Sequence, residues 1–225
     1  MKKVIYGQYD ANAYPLKRFY EDELPDKIRE LFFLLSHQQL AVFRGGLAFV
    51  FLLNEKKYLL KDIDMMAYSD NKDVLLDYLK CAEIVYVNKN TFGDSVITAF
   101  WKADDEYYKL DILLCNKMTS LCERIINGKS LYIVSASYLW RNRIEKIAEK
   151  NIRKHDNKKT LNHFYVAHKL SQYLIESREL IFEEDINVVI EKLSDLQLVL
   201  SKMITERELE QFMKLQFELV RGEII

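Results

Sequence analysis

Up to about residue 127 the chain alternates short apolar runs, rich in β-branched and aromatic residues, with clusters of turn formers; beyond it, apolar residues recur at helical spacing. The first pattern predicts strands over 39–44, 61–68, 83–87, 95–102 and 107–114, with helices over about 25–37, 46–54 and 72–81 packed on the sheet. "SVITAFWKADDEYYKLDILL" reads as a hairpin, two β-rich runs around the polar connection Ala103 to Glu106. The second pattern is plainest in "VVIEKLSDLQLVLSKM" at 188–203, and Thr205 with Glu208 makes a capping box for a last helix running to about Val220. Both prolines, Pro15 and Pro25, fall in the first 25 residues, so little breaks the second half of the chain. The expected fold is α+β, a mixed sheet with packed helices over 1–127 followed by a helical lobe over 128–225.

Composition narrows the classes. The 225 residues are 49% hydrophobic, enough to bury a substantial core. With 33 Lys+Arg against 34 Asp+Glu, the net charge of -1 provides no global field for nucleic acid or membrane, so any basic surface is local. The apolar run "LAFVFLL" at 47–53 is too short to span a bilayer, and "MKKVIYGQYD" lacks the apolar core of a signal peptide; a cytoplasmic location with no membrane partner is expected. Cys81, Cys115 and Cys122 form no CxxC and no ligand set with the histidines, and are expected as buried thiols. His155, His163 and His168 lack the i, i+4 spacing of a zinc helix. Tyr6, Tyr9, Tyr14 and Tyr20 are expected to wrap the N-terminal segment on the core.

Candidate chemistry lies in three aspartates. Side chains alternate across a strand, so in "KDIDMMAY" Asp62 and Asp64 share one face while Ile63, Met65 and Ala67 take the other. In "KLDILL" the same alternation buries Leu110, Ile112 and Leu114 and leaves Asp111 on the opposite face. If the two strands are neighbours, three carboxylates converge, and they repel one another unless a cation joins them. Oxygen-only ligands suit a hard ion such as Mg²⁺, which is commonly held by carboxylates together with substrate phosphates. Upstream, "AVFRGGLAFVFLL" reads as a strand ending at Gly45 and Gly46, then a helix whose N-terminus offers unpaired N–H donors to a phosphate.

In this order of elements the chain resembles the polymerase-beta-type nucleotidyltransferases, whose pattern of a glycine pair, a helix, Asp-hydrophobic-Asp and a later acidic residue is matched by "FRGG", "KDIDM" and "KLDIL" over about residues 42–113. Within that superfamily it looks most like bacterial abortive-infection-type nucleotidyltransferase toxins and small antibiotic nucleotidyltransferases. The resemblance implies that Asp62, Asp64 and Asp111 are catalytic and bind Mg²⁺ or Mn²⁺, with Asp111 completing the metal site or acting as base. It implies that Gly45 and Gly46 hold an NTP triphosphate, with Arg44 and Lys61 beside them. The reaction would move a nucleoside monophosphate to a hydroxyl and release pyrophosphate. Leu47 stands where the pattern often has Ser or Thr, and the interval 47–61 is slightly long, pointing to an extended helix or loop at "NEKKYLLK".

The stretch from Arg141 to Lys159 carries eight Lys or Arg against three acidic residues. It reads either as a solvated helix face or as a surface for phosphates, with Arg143 and Lys146 reaching the triphosphate or the whole stripe contacting RNA. The acceptor is left open among RNA or tRNA, a protein and a small molecule, and a toxin or defence role would bring a cognate antitoxin as partner. Two other readings stand beside the enzyme: a catalytically inactive nucleotide-binding or regulatory module, and a plain nucleic-acid-binding domain.

Overall fold

In the computed structural model the described residues are 4–89, 93–118, 120–153 and 156–222; His155 lies outside them. The chain divides into two units, Met1–Val134 and Ser135–Ile225. The first is built on a sheet whose strands are β1 (Val4–Tyr6), β2 (Val42–Arg44), β3 (Ile63–Tyr68), β4 (Ile84–Lys89), β5 (Ser95–Ala103), β6 (Glu106–Cys115), β7 (Leu121–Ile126) and β8 (Lys129–Val134). They lie in the order β1-β4-β5-β6-β3-β2-β8-β7. The sheet is mixed: β3 runs parallel to β6 and antiparallel to β2, while β5 and β6 form the antiparallel hairpin expected around Ala103 and Glu106.

Alternation sorts each strand into two faces. Ile133, Phe43, Met65, Ile112 and Ile97 are successive register partners across β8, β2, β3, β6 and β5, and all are fully buried. Helices α1 (Asp26–His37) and α2 (Gly45–Leu53) cover this apolar row, since Phe33 and Phe51 both pack edge-on against Phe43, at 6.1 and 5.3 Å between ring centroids. Helix α3 (Lys72–Tyr78) continues into a short turn of 3₁₀ helix, Leu79–Cys81. Covering one face with helices leaves the adjacent row, one residue away on each strand and facing the other side, for polar side chains.

The N-terminal segment folds back on the sheet as expected of its tyrosines. Tyr14 stacks on Phe100 at 4.3 Å and its hydroxyl pairs with that of Tyr86 at 2.9 Å, while Tyr9 packs against Phe100 and Tyr86. Tyr6 and Tyr20 remain exposed.

The second unit contains α4 (Ala136–Ala148), α5 (Lys150–Arg153), α6 (Asn157–Ser177), α7 (Glu183–Leu200) and α8 (Glu206–Arg221). Thr205 and Glu208 form the expected capping box, each side chain accepting from the other's backbone N–H, at 3.3 and 2.9 Å. Buried polar groups are tied together: Trp140 Nε1 donates to Gln216 Oε1 at 2.7 Å, and Gln216 Nε2 donates to Ser171 Oγ at 3.0 Å.

Three expectations need correction. Residues 121–134, assigned from sequence partly to the helical lobe, form the hairpin β7/β8, closed by Asn127 and Gly128 at φ 52° and 74°, and they belong to the sheet unit. The strand expected over 39–44 begins only at Val42, because Gln39 turns with φ 56° as the chain leaves α1. Cys81 is exposed and Cys115 and Cys122 are partly so, which removes the reading of three core thiols.

Candidate active site

The polar face of the sheet carries the three aspartates. Asp64 on β3 and Asp111 on β6 are direct register partners, and Arg44, at the end of β2, is the partner of Asp64 on its other side. Thr98 on β5 completes the row as the partner of Asp111. Directly paired residues project to the same side of a sheet, so Arg44, Asp64, Asp111 and Thr98 form one polar row across four strands. Asp62 and Lys109 belong to the adjoining row, each one residue before the paired Ile63 and Leu110.

Lys109 stands inside this group of acids. Its Nζ is 2.5 Å from Asp111 Oδ2 and 3.7 Å from Asp62 Oδ2. Thr98 Oγ1 donates to Asp111 Oδ1 at 2.8 Å, and Asn88 Nδ2 donates to Thr98 Oγ1 at 3.2 Å, so both carboxylate oxygens of Asp111 are held. The Lys109 ammonium also lies 5.9 Å from the centre of the Tyr9 ring, which brings the N-terminal segment to the edge of the site.

The electrostatics follow from this crowding. Burial raises the pKa of Asp62 to about 6, with the Asp64 and Asp111 charges adding to the rise and Lys109 and Lys61 opposing it. Asp111 is also raised, first by burial and then by Asp64, against the pull of Lys109 and Thr98. Burial disfavours the Lys109 charge, but Asp111 and Asp62 outweigh it and hold the ammonium above the ordinary lysine value.

Gly45 sits where α2 starts, at φ 67°, and an added Cβ would lie 2.1 Å from Asp64 Oδ2. The glycine therefore lets the Asp64 carboxylate lie against the first turn of the helix, where unpaired backbone N–H groups favour negative charge. Gly46 has a packing reason as well, since a Cβ there would meet Leu60 at 2.9 Å and Tyr58 at 3.2 Å. The interval after α2 is a turn, begun by Asn54 at φ 53° and ended where Leu60 bridges to Phe19.

No family model matches the chain, and no curated protein matches it. Among solved structures it is similar to an antigenic nucleotidyltransferase-like protein from Paracoccidioides brasiliensis, at a TM-score of 0.57 and 13% identity, over 89% of this chain and 96% of that one. The chain has a nucleotidyltransferase-like fold. JHP933 from Helicobacter pylori is matched at a TM-score of 0.41 and 14% identity, over 88% of this chain and 90% of that one.

On this nucleotidyltransferase-like frame, the residues picked out from sequence divide into two sets. Arg44, Gly45, Gly46, Lys61, Asp62, Asp64 and Asp111 belong to the sheet unit, with Lys61 exposed next to Asp62. Arg143 and Lys146 belong to the helical unit, where Arg143 is buried and its guanidinium lies 3.3 Å from His163 Nδ1. In the same basic stretch Arg141 pairs with Glu145 at 3.6 Å and with the buried Asp185 at 3.4 Å, and Glu149 pairs with Lys192 at 3.0 Å, so these groups are engaged within the helical unit.

Sequence reading missed Lys109 and Thr98. The signal for Lys109 was present in "KLD", where alternation puts it on the Asp111 face. That for Thr98 was the hairpin register, which a two-residue turn at Asp104 and Asp105 fixes.

The donor chemistry fits a hard divalent ion: oxygen ligands only, with the Asp62 and Asp64 carboxylates on one strand face. Among the described residues, however, no three His, Cys, Asp or Glu side chains converge as a ready metal group. The Lys109 ammonium is the cation now paired with Asp111 and Asp62.

A titration prediction arises from Asp62. In the metal-free protein its carboxyl should protonate near pH 6, as read by ¹³C NMR of the carboxyl carbon. Because its pKa is raised on folding, its contribution to stability is present at low pH and lost as pH rises through about 6. Metal affinity should run the other way and increase across the same window, since a ligand must be deprotonated. An Asp62 carboxyl titrating near 4 would contradict this environment.

Proposed function

We propose that the chain is a Mg²⁺- or Mn²⁺-dependent nucleotidyltransferase that moves a nucleoside monophosphate from an NTP to an acceptor hydroxyl. The observation that carries this reading is the register pair Asp64 and Asp111 with Asp62 beside them, set against a glycine that opens α2 at the Asp64 carboxylate. Asp62 and Asp64 would hold the metal, which when bound neutralises the triphosphate and polarises the phosphoryl oxygens.

The remaining roles belong to the chain's own groups. Arg44 and Lys61 supply positive charge beside the triphosphate, and the first turn of α2 supplies backbone N–H donors. Asp111, held by Lys109 and Thr98, would accept the proton of the acceptor hydroxyl. The acceptor oxygen forms a bond to the α-phosphorus, the bond from that phosphorus to the bridging oxygen breaks, and pyrophosphate leaves. Lys146 would contact the phosphates of an RNA acceptor, whereas Arg143 is buried beside His163 in the helical unit and would have no role on the nucleotide.

The acceptor is RNA, tRNA, a protein or a small molecule, and a toxin or defence role in the cytoplasm, with a cognate antitoxin, is the context we favour. The test is incubation with each α-labelled NTP, Mg²⁺ and total RNA, cell protein or candidate small acceptors, beside Asp62→Ala/Asp64→Ala. Label transfer by the wild type and none by the double variant supports the reading and names base and acceptor class together. Transfer retained by the variant would sink it.

A second reading is favoured by one observation, the Lys109 ammonium already paired with the acids: a nucleotide-binding module with this fold that performs no transfer. Metal-dependent NTP binding by calorimetry without turnover on any acceptor supports that alternative.

A further inference from the structure

Phosphoryl-transfer sites with two metal ions hold them about 3.5–4 Å apart, each facing carboxylates. In this chain one such region of positive charge is already supplied by the protein. Lys109 Nζ lies 2.5 Å from Asp111 and 3.7 Å from Asp62. The lysine is buried, and its stem comes from the same strand as Asp111, so it cannot leave the acids without vacating a packed position. Both oxygens of Asp111 are engaged, one by Lys109 and one by the Thr98 hydroxyl, and the Thr98 oxygen is in turn fixed by Asn88. Asp64, by contrast, lies against the glycine that opens α2, while the ion pairs of Lys109 are with Asp111 and Asp62.

We infer that Lys109 is a built-in cation of the site: its ammonium takes the place of one divalent ion beside Asp111, and the chain binds a single divalent ion, at Asp62 and Asp64. The inference rests on the nucleotidyltransferase reading and names how that site is charged. Lys109 is a positioning residue here, acting through Asp111 and Asp62. A fixed ammonium beside Asp111 satisfies the charge that a second ion would otherwise have to bring. It also repels a divalent ion at the same spot, so the count of bound ions reports its role.

The test is a Mn²⁺ titration of the full chain, with bound ions counted by equilibrium dialysis and the electron paramagnetic resonance spectrum recorded. Wild type and Lys109→Arg should each bind one Mn²⁺ with the spectrum of an isolated ion. Lys109→Met, which keeps the apolar stem without the charge, should bind two and show spin coupling. Lys109→Gln serves as the second variant if Lys109→Met does not fold, with circular dichroism and melting followed in each case. In Mn²⁺-free buffer the uncharged variants should melt below wild type, and Mn²⁺ should raise their melting point more than it raises that of wild type.

Two ions in the wild type overturn the inference while leaving the metal-dependent reading intact. One ion in the uncharged variants, bound as tightly as in wild type, also overturns it, because Lys109 then excludes nothing. Mn²⁺ binding no greater than that of Asp62→Asn/Asp64→Asn in every chain overturns the metal-dependent reading and this inference together.

Discussion

Replacing Gly45 by alanine is expected to destabilise the sheet unit by roughly 2–5 kcal/mol, the sum of a left-handed backbone penalty and an overpacked contact. The residue has φ 67°, a region alanine resists, and its new Cβ would fall 2.1 Å from Asp64 Oδ2 and 2.8 Å from Asp64 Cβ. Neither atom sits at the far end of a long flexible chain, so relief must come from moving the carboxylate or the start of α2. Either movement displaces a proposed metal ligand, so nucleotide transfer should fall with stability. Denaturant unfolding followed by far-ultraviolet circular dichroism measures the first effect, and the labelled-NTP assay the second. The double variant Gly45→Ala/Asp64→Ala removes the carboxylate contact and keeps the Cβ one, and it should recover part of the lost stability. Wild-type stability in Gly45→Ala would show that α2 does not begin against Asp64.

Asp64→Asn should have the larger effect on chemistry and a small one on folding. Asparagine keeps the shape but loses the charge that would hold a divalent ion, and metal stabilisation of a phosphoryl transition state is worth several kcal/mol, so the rate should drop by at least about 10³-fold. Stability should hold or rise, because one of the charges that raises Asp62 and Asp111 is gone. Steady-state transfer rates beside melting curves separate the two. An Asp64→Asn chain that transfers at the wild-type rate removes Asp64 from the metal and requires another route for the chemistry.

The parts of the fold that sequence periodicity revealed are those with strong alternation. Ile63, Met65 and Ala67, and again Leu110, Ile112 and Leu114, are buried where the two-residue period puts them. Helices α1, α2 and α3 fall close to the expected spans: α1 carries an apolar stripe through Ile28, Phe32, Phe33 and Leu35, and α2 is a continuous apolar run that Asn54 ends at φ 53°. The hairpin β7/β8 escaped because β7 is the outer strand of the sheet and carries Glu123 and Arg124, charges that suit an edge but blur the apolar signal. β1 escaped because its three residues, Val4–Tyr6, stand between a lysine pair and Gly7 with no longer apolar run around them.

The site was partly legible for the same reason. Alternation put Asp62, Asp64 and Asp111 on the face away from the core, but sequence order says nothing about which strands become neighbours. The parallel pairing of β3 with β6, strands far apart in the chain, is what joins Asp64 to Asp111. Lys109 was legible in principle from the same alternation. Its meaning was not, because the consequence of a lysine between Asp111 and Asp62 depends on distances of 2.5 and 3.7 Å that no spacing rule supplies. The glycine pair was read as a phosphate cradle, and the structure adds a reason internal to the protein, room for the Asp64 carboxylate.

The central claim is that Asp62 and Asp64 hold a divalent ion through which an NTP is bound. Its most direct test is a crystal structure of the protein soaked with Mn²⁺ and a non-hydrolysable NTP analogue, with anomalous scattering used to locate the metal. The account predicts a Mn²⁺ peak within about 2.0–2.5 Å of carboxylate oxygens of Asp62 and Asp64, with the triphosphate reaching the first turn of α2. A nucleotide bound elsewhere, or a clear nucleotide here with no Mn²⁺ on either aspartate, would contradict it.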